Sequence, residues 1–161
     1  MDKSMFTIEG TALIKYNRTN ESVVIVPEHI TAIADYAFYY CDNITKVVLP
    51  KGLISIGKYA FHECDNLEEI NLPDSITYIG ESAFTLCKNL ETLTIPRGMN
   101  YIGSNTFSCM SSLKSVYIHE NVTYIAPNPF HGAHKKITVY CKKGSCAMEM
   151  AKKYRYRRKY I

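Results

Sequence analysis

Apolar and polar residues along this chain recur in one phrase of 23 residues. Pro27, Pro50, Pro73 and Pro96 stand 23 apart, and so do Phe38, Phe61, Phe84, Phe107 and Phe130. Three further apolar columns share the spacing: Ile33, Ile56, Ile79, Ile102, Ile125; Ile30, Leu53, Ile76, Met99, Val122; and Val26, Leu49, Leu72, Ile95, Ile118. A repeat of this length is the mark of a solenoid, in which each coil buries its apolar side only against its neighbours. Five coils follow.

Within a coil, the alternation in "INLP" (70–73) predicts a short strand with Ile70 and Leu72 inward and Asn71 outward. Proline lacks a donor and fixes its own φ, so it ends the strand. "ITYI" (76–79) points Ile76 and Ile79 inward, and Gly80 supplies a tight bend. "ESAF" then reads as a short helical or 3₁₀ turn that packs Ala83 and Phe84 inside. The phenylalanine is the corner post of each coil.

Such phrases resemble the BspA-like (Treponema pallidum type) leucine-rich repeats. The matching motif, C-x-N-[LI]-x-x-[IVL]-x-[ILV]-P-x-x-[IVLM]-x-x-I-[GA]-x-x-A-F, stands at 41–61, at 64–84 and, with Thr106 for Ala, at 87–107. The resemblance covers roughly residues 23–140 and implies an α/β solenoid, a leucine-rich-repeat right-handed coil of about five repeats. It also implies an interaction protein of the cell surface, since members are described as adhesins and matrix-binding proteins with diverse ligands.

The ends fit that picture. "FTIEGTALIKYN" (6–17) alternates around Glu9-Gly10 and predicts a β-hairpin capping the first coil. Near the other end Ile137 rather than Lys136 is apolar, a slip in the repeat, after which a last strand, a turn at Gly144 and a helix from about Ser145 are expected. The expected organisation is a single domain over 1–161: a cap over 1–22, five repeats over 23–138, and a C-terminal cap with a basic tail over 139–161.

Composition adds bounds. At 161 residues and 47% apolar, the chain has material for one continuous core. No apolar run is long enough for a transmembrane helix, and the first ten residues show no signal peptide. A surface or secreted location therefore requires a leader outside this chain. Residues 142–161 carry a local net of +7 against +4 for the whole, which leaves −3 on the other 141.

Chemistry-bearing residues fall mostly into the repeat. Cys41, Cys64 and Cys87 form a column continued by Met110 and Ala133, an internal slot for small apolar groups. Neighbouring coils lie ~4.8 Å apart, too far for parallel cysteines to bridge, and three thiols in a row do not surround a tetrahedral zinc. His131, His134, Cys141 and Cys146 contain metal-ligand atoms in spacings that match no common finger, so no metal and no cofactor is expected; an exported protein could bridge Cys141 to Cys146, and if these are free, Cys141 or Cys146 is the thiol expected to react first. Phosphate-loop, G-x-S-x-G and H-E-x-x-H motifs are absent from the sequence, and Glu68, Glu69 and Glu91 occupy surface positions, so no catalytic residues are assigned. Asn17, Asn20, Asn43 and Asn121 begin N-x-[ST] sequons.

Recognition is expected where coils differ. One outward strand column runs Ile25, Val48, Asn71, Thr94, Tyr117, a second Val23, Lys46, Glu69, Thr92, Ser115, and a third Ser55, Tyr78, Tyr101, Tyr124. The candidate ligand-binding residues are Tyr78, Tyr101, Tyr124, Lys46, Val48, Glu69, Asn71, Thr92, Thr94 and Tyr117, because extended repeat faces bind partners and tyrosine offers large contact area at low entropy cost. The structural core is assigned to Phe38, Phe61, Phe84, Phe107, Phe130, Cys41, Cys64 and Cys87. The leading reading is a non-enzymatic protein-binding module, an adhesin or interaction domain for a host or matrix protein. The alternatives are a scaffold or spacer in a longer protein, and anionic-polymer binding through the basic tail; no nucleic-acid motif is present.

Overall fold

The computed structural model describes residues 5–133 and 137–161. The chain winds as a β-solenoid with two strand-bearing faces and a turn face around one core. The strand face carries β3 (Val23–Ile25), β5 (Lys46–Val48), β7 (Glu69–Ile70), β9 (Thr92–Thr94), β11 (Ser115–Ile118), β13 (Thr138–Cys141) and β14 (Arg157–Tyr160). The bonded neighbours among these strands pair in parallel, offset by 23 residues from β3 to β13, as in Lys46↔Glu69 and Ser115↔Thr138, while β14 pairs with β13 at a shorter step, Thr138↔Arg157. The second face carries β1 (Phe6–Glu9), β2 (Ala12–Tyr16), β4 (Ala32–Ile33), β6 (Ser55–Ile56), β8 (Tyr78–Ile79), β10 (Tyr101–Ile102) and β12 (Tyr124–Ile125).

Both ends close as the residue pattern predicts. β1 and β2 form an antiparallel hairpin, and β2 pairs in parallel with β4. At the other end α1 (Cys146–Lys153) starts at the N-cap Ser145, whose hydroxyl accepts from the Met148 N–H, and ends with Lys152 and Lys153 in its last turn. Ala147, Met148, Met150 and Ala151 are its buried face. The basic tail then forms β14 beside β13, so its charges sit on a solvated edge strand. The slip at Ile137 is absorbed at once: by Thr138 the 23-residue register is restored, and Val139 and Cys141 continue the inward columns.

Phe38, Phe61, Phe84, Phe107 and Phe130 are fully buried and stack at centroid distances of 4.8, 5.2, 5.7 and 5.8 Å. Tyr16 covers one end of the stack at 5.3 Å and Tyr156 the other at 6.4 Å. The turn holding each phenylalanine is not helical, contrary to expectation. It is a pair of tight turns whose residues four apart have left-handed backbones, as in Ser82 (φ 54) and Leu86 (φ 66). That geometry turns alternate N–H groups toward the next coil: Phe38 donates to Ala60, Phe61 to Ala83, Phe84 to Thr106 and Phe107 to Pro129.

The thiol column is buried, and two of its members do more than fill space. The Cys64 thiol donates to the Phe38 carbonyl and the Cys87 thiol to the Phe61 carbonyl, each at 3.1 Å. Gly80 serves closeness rather than bending, since a Cβ there would lie 2.6 Å from the Lys58 nitrogen. Polar side chains also bridge coils: the Asn43 amide donates to the carbonyls of Thr19 and Glu21, and the Asn121 amide to those of Arg97 and Met99. Two of the four sequons thus have their asparagines engaged in holding coils together.

Candidate functional site

The ladder between coils is interrupted once, between the third and the fourth. Among the described residues no strand pairing joins β7 to β9 or β8 to β10, although every other adjacent pair on these faces is bonded. The N–H groups of Lys114 and Ser115 donate to the Glu91 carbonyl one coil earlier, and those of Glu68 and Glu69 to Thr45; the equivalent bonds from Glu91 and Thr92 are not made. The turn face stays closed, because Phe84 still reaches Thr106 and Leu86 still reaches Ser108. The solenoid is therefore open at its strand face and pinned at its phenylalanine column and at the turn after β9, where the Gly98 N–H donates to the Asp74 carbonyl.

Asn71, beside the break, departs from the regular ladder. A regular coil would present the Asn71 backbone carbonyl to the Leu49 N–H, as Val48 presents its own to Val26. Instead the Asn71 side-chain oxygen accepts from the Leu49 N–H at 2.9 Å, and its amide donates to the Leu49 carbonyl at 3.2 Å. A short amide side chain that takes over backbone bonds displaces the strand it belongs to. β7 consequently stops at Ile70. Ile70 and Leu72 are only half-buried, a departure from the expected inward pair, whereas Val47, Leu49, Leu93 and Ile95 in the same columns are buried.

The opening is a cleft of about 880 Å³, lined on one side by Glu69, Asn71 and half-buried Ile70 and Leu72, and on the other by Thr92 and Thr94. Four of the ten candidate residues are thereby brought together. Lys46 reaches the same edge through its ion pair with Glu69 at 2.8 Å. Lys114 pairs with Glu91, and Lys88 crosses the gap to Asp65 at 2.5 Å, where the carboxylate raises the Lys88 pKa. These exposed pairs contribute little stability.

Other candidates lie apart. Val48 is half-buried at the end of β5, and Tyr117 stacks on Tyr140 at 4.3 Å with Lys159 over the Tyr140 ring. Tyr140 continues the Tyr117 column by the same 23-residue step, in a coil without a phenylalanine to mark it in the sequence. Tyr78, Tyr101 and Tyr124 are exposed on the other strand-bearing face. Only Tyr101 and Tyr124 stack, at 5.5 Å with rings 1° from parallel, and Tyr78 stands across the interruption.

Among the described residues no three metal-ligating side chains converge; His134 lies outside them. Cys141 and Cys146 are unbridged. Cys141 is fully buried and burial raises its thiol pKa, whereas Cys109 and Cys146 are the partly exposed thiols. No helix among the described residues is long and apolar enough to cross a membrane.

Similar folds are known. A leucine rich cell surface protein of Faecalibacterium prausnitzii superposes with a TM-score of 0.68 at 24% identity, over 88% of this chain and 52% of that one. A leucine rich repeat protein of T. pallidum gives 0.60 at 19%, over 99% and 97%, and the pneumococcal vaccine antigen PcpA 0.64 at 21%, over 97% and 45%. The chain thus spans about half the length of the first and third of these. At such identities the likeness shows the fold. No curated protein matches the chain. The model of the BspA type leucine rich repeat region matches residues 14–138 in six copies, one more than the five coils counted from the phenylalanines. The chain belongs to the BspA type leucine-rich repeat family.

Proposed function

We propose that this protein is a non-enzymatic interaction module of the cell surface, acting as one domain over 1–161, and that it holds a protein ligand on its strand face at the cleft between β7 and β9. The observation that carries the reading is the interrupted ladder. The Thr92 N–H lacks the coil-to-coil bond its equivalents make, and the cleft beside it offers apolar contact at Ile70 and Leu72. Open strand edges recognise extended segments through main-chain bonds, while flanking side chains choose among sequences. Glu69, Asn71, Thr92 and Thr94 are those flanking side chains here. Family membership and the cell-surface location of the F. prausnitzii neighbour support the interaction role and its setting. The ligand class is a host-cell or matrix protein.

The test is binding of the full chain to a panel of purified matrix and cell-surface proteins, each deglycosylated to remove sugar-dependent contacts. An Asn71→Lys/Thr94→Lys variant that melts like wild type should lose at least tenfold in affinity, and a Tyr101→Ser/Tyr124→Ser variant should not. Retention of full affinity by the first variant, or no binding to any member of the panel, overturns the reading.

A further inference from the structure

A second group of side chains, on the turn face of the first two coils, serves neither the repeat nor the cleft. Tyr36 and Tyr59 stack at 5.1 Å, Tyr39 and His62 at 5.4 Å, and Tyr39 meets Tyr36 edge-on at 5.6 Å. Tyr36, Tyr39 and Tyr40 remain 54%, 38% and 49% exposed. The equivalent positions in the third and fourth coils hold Ser82, Thr85, Leu86, Asn105, Ser108 and Cys109, so the fold does not require rings there.

The backbone in fact disfavours them. Tyr36, Tyr40 and Tyr59 have left-handed φ values of 60, 61 and 55°, a region that bulky side chains avoid and that Asn or Gly tolerates. Later coils are left-handed at the matching sites too, and place Ser82, Leu86, Asn105, Cys109, Asn128 and Gly132 there, none of them a ring. The left-handed backbone belongs to the repeat, but large rings on it do not, and residues that the fold does not need at disfavoured positions mark positions kept for use.

Beside these rings lies a groove of about 840 Å³, between the end of the hairpin and the first turn, with Tyr36 and Tyr39 on one wall and Lys15, Arg18 and Asp35 on its rim. Arg18 is itself left-handed, at φ 45°, and its guanidinium donates to the Tyr39 carbonyl at 2.9 Å, which fixes its position. One Asp35 oxygen is occupied by the Lys58 N–H at 2.7 Å. The rim therefore carries two cations against one carboxylate.

We propose that this groove binds a glycan through a negatively charged pyranose. One face of a pyranose is a patch of C–H groups that packs on an aromatic ring, while its equatorial hydroxyls lie at the edge, within reach of planar donors and acceptors such as guanidinium and carboxylate. An aromatic wall with a few convergent polar groups is the usual make-up of a small-ligand site. The positive rim selects a sugar that bears a carboxylate or a sulfate.

Calorimetric titration of the full chain with a hyaluronan hexasaccharide, a chondroitin sulfate hexasaccharide and neutral chitohexaose tests this. At least one acidic hexasaccharide should bind ten times more tightly than chitohexaose, and comparison of the two acidic probes separates carboxylate from sulfate recognition. Tyr36→Asn/Tyr39→Thr should lose that binding at least tenfold with no fall in Tm, since later coils use such residues there. Should that variant melt early, Tyr36→Phe, which keeps the ring, must retain affinity within threefold. An Arg157→Gln/Arg158→Gln variant controls for the basic tail and should bind as wild type. The proposal is overturned if neither acidic probe binds, if chitohexaose binds equally well, if the ring variant binds unchanged, if Tyr36→Phe loses the binding, or if the tail variant abolishes it.

Discussion

The side-chain amide of Asn71 bonds both the N–H and the C=O of Leu49, one coil earlier, at 2.9 and 3.2 Å. By doing so it replaces its own backbone in the ladder and ends β7 two residues into the strand. Asn71→Val removes the competing amide and inserts a residue suited to a pleated face. The variant should pair further along β7, gain up to about 1 kcal/mol, and lose affinity for a ligand of the cleft. Lower stability together with unchanged binding would show that Asn71 is not what holds the cleft open.

Phe84 sits mid-stack, 5.2 Å from Phe61 and 5.7 Å from Phe107, and its N–H is one of two backbone bonds that keep the turn face closed across the interruption. Truncation leaves a cavity where the two halves of the solenoid are held. Phe84→Ala should cost about 3–5 kcal/mol, read from denaturant midpoints at constant m. A cost below 1 kcal/mol contradicts the corner-post role.

Thr106 stands where Ala37, Ala60 and Ala83 stand in earlier coils, fully buried, with its hydroxyl lacking a hydrogen-bond partner. A buried hydroxyl left unpaired costs about 1–3 kcal/mol. Thr106→Ala should therefore raise the unfolding free energy by about 1 kcal/mol, and a lower Tm would refute that account of the site.

Burial raises the thiol pKa of Cys64 and Cys87 well above the ordinary 9.0. Above pH 9 the unfolded chain ionises these thiols while the fold keeps them protonated, so the stabilisation is complete below that pH and is lost as pH rises. Each such thiol steepens the decline by about 1.4 kcal/mol per pH unit. Urea denaturation between pH 9.5 and 10.5 should fall more gently for Cys64→Ala/Cys87→Ala than for wild type, by roughly 2–3 kcal/mol per unit. Equal slopes would mean that the thiols ionise in the fold.

The solenoid was legible because its information is redundant: any one column, phenylalanine or isoleucine, returns the same 23-residue step. The interruption was not, since it depends on which of two bonding partners Asn71 chooses, and the column Ile25, Val48, Asn71, Thr94, Tyr117 reads as outward whichever it takes. Glu69, Asn71, Thr92 and Thr94 were singled out as outward positions, yet nothing in their spacing shows that they border one cleft. The rings of Tyr36, Tyr39, Tyr40 and Tyr59 escaped for another reason. "YAFYYC" and "YAFHEC" differ from "SAFTLC" at positions that a helical turn would have placed without strain, whereas Tyr36, Tyr40 and Tyr59 sit on the left-handed backbone that every coil repeats there.

The most direct measurement is residue-resolved amide hydrogen exchange of the free protein, comparing the Thr92 N–H with that of Ser115. The two occupy the same position in successive coils, and Ser115 donates to Glu91 at 3.1 Å whereas Thr92 has no such bond to the coil before it. If the solenoid is open between β7 and β9, Thr92 exchanges at least tenfold faster than Ser115, and Phe84 on the turn face stays as protected as Phe61. Equal protection of Thr92 and Ser115 would mean that the ladder is continuous, that no cleft exists on the strand face, and that recognition must be sought elsewhere.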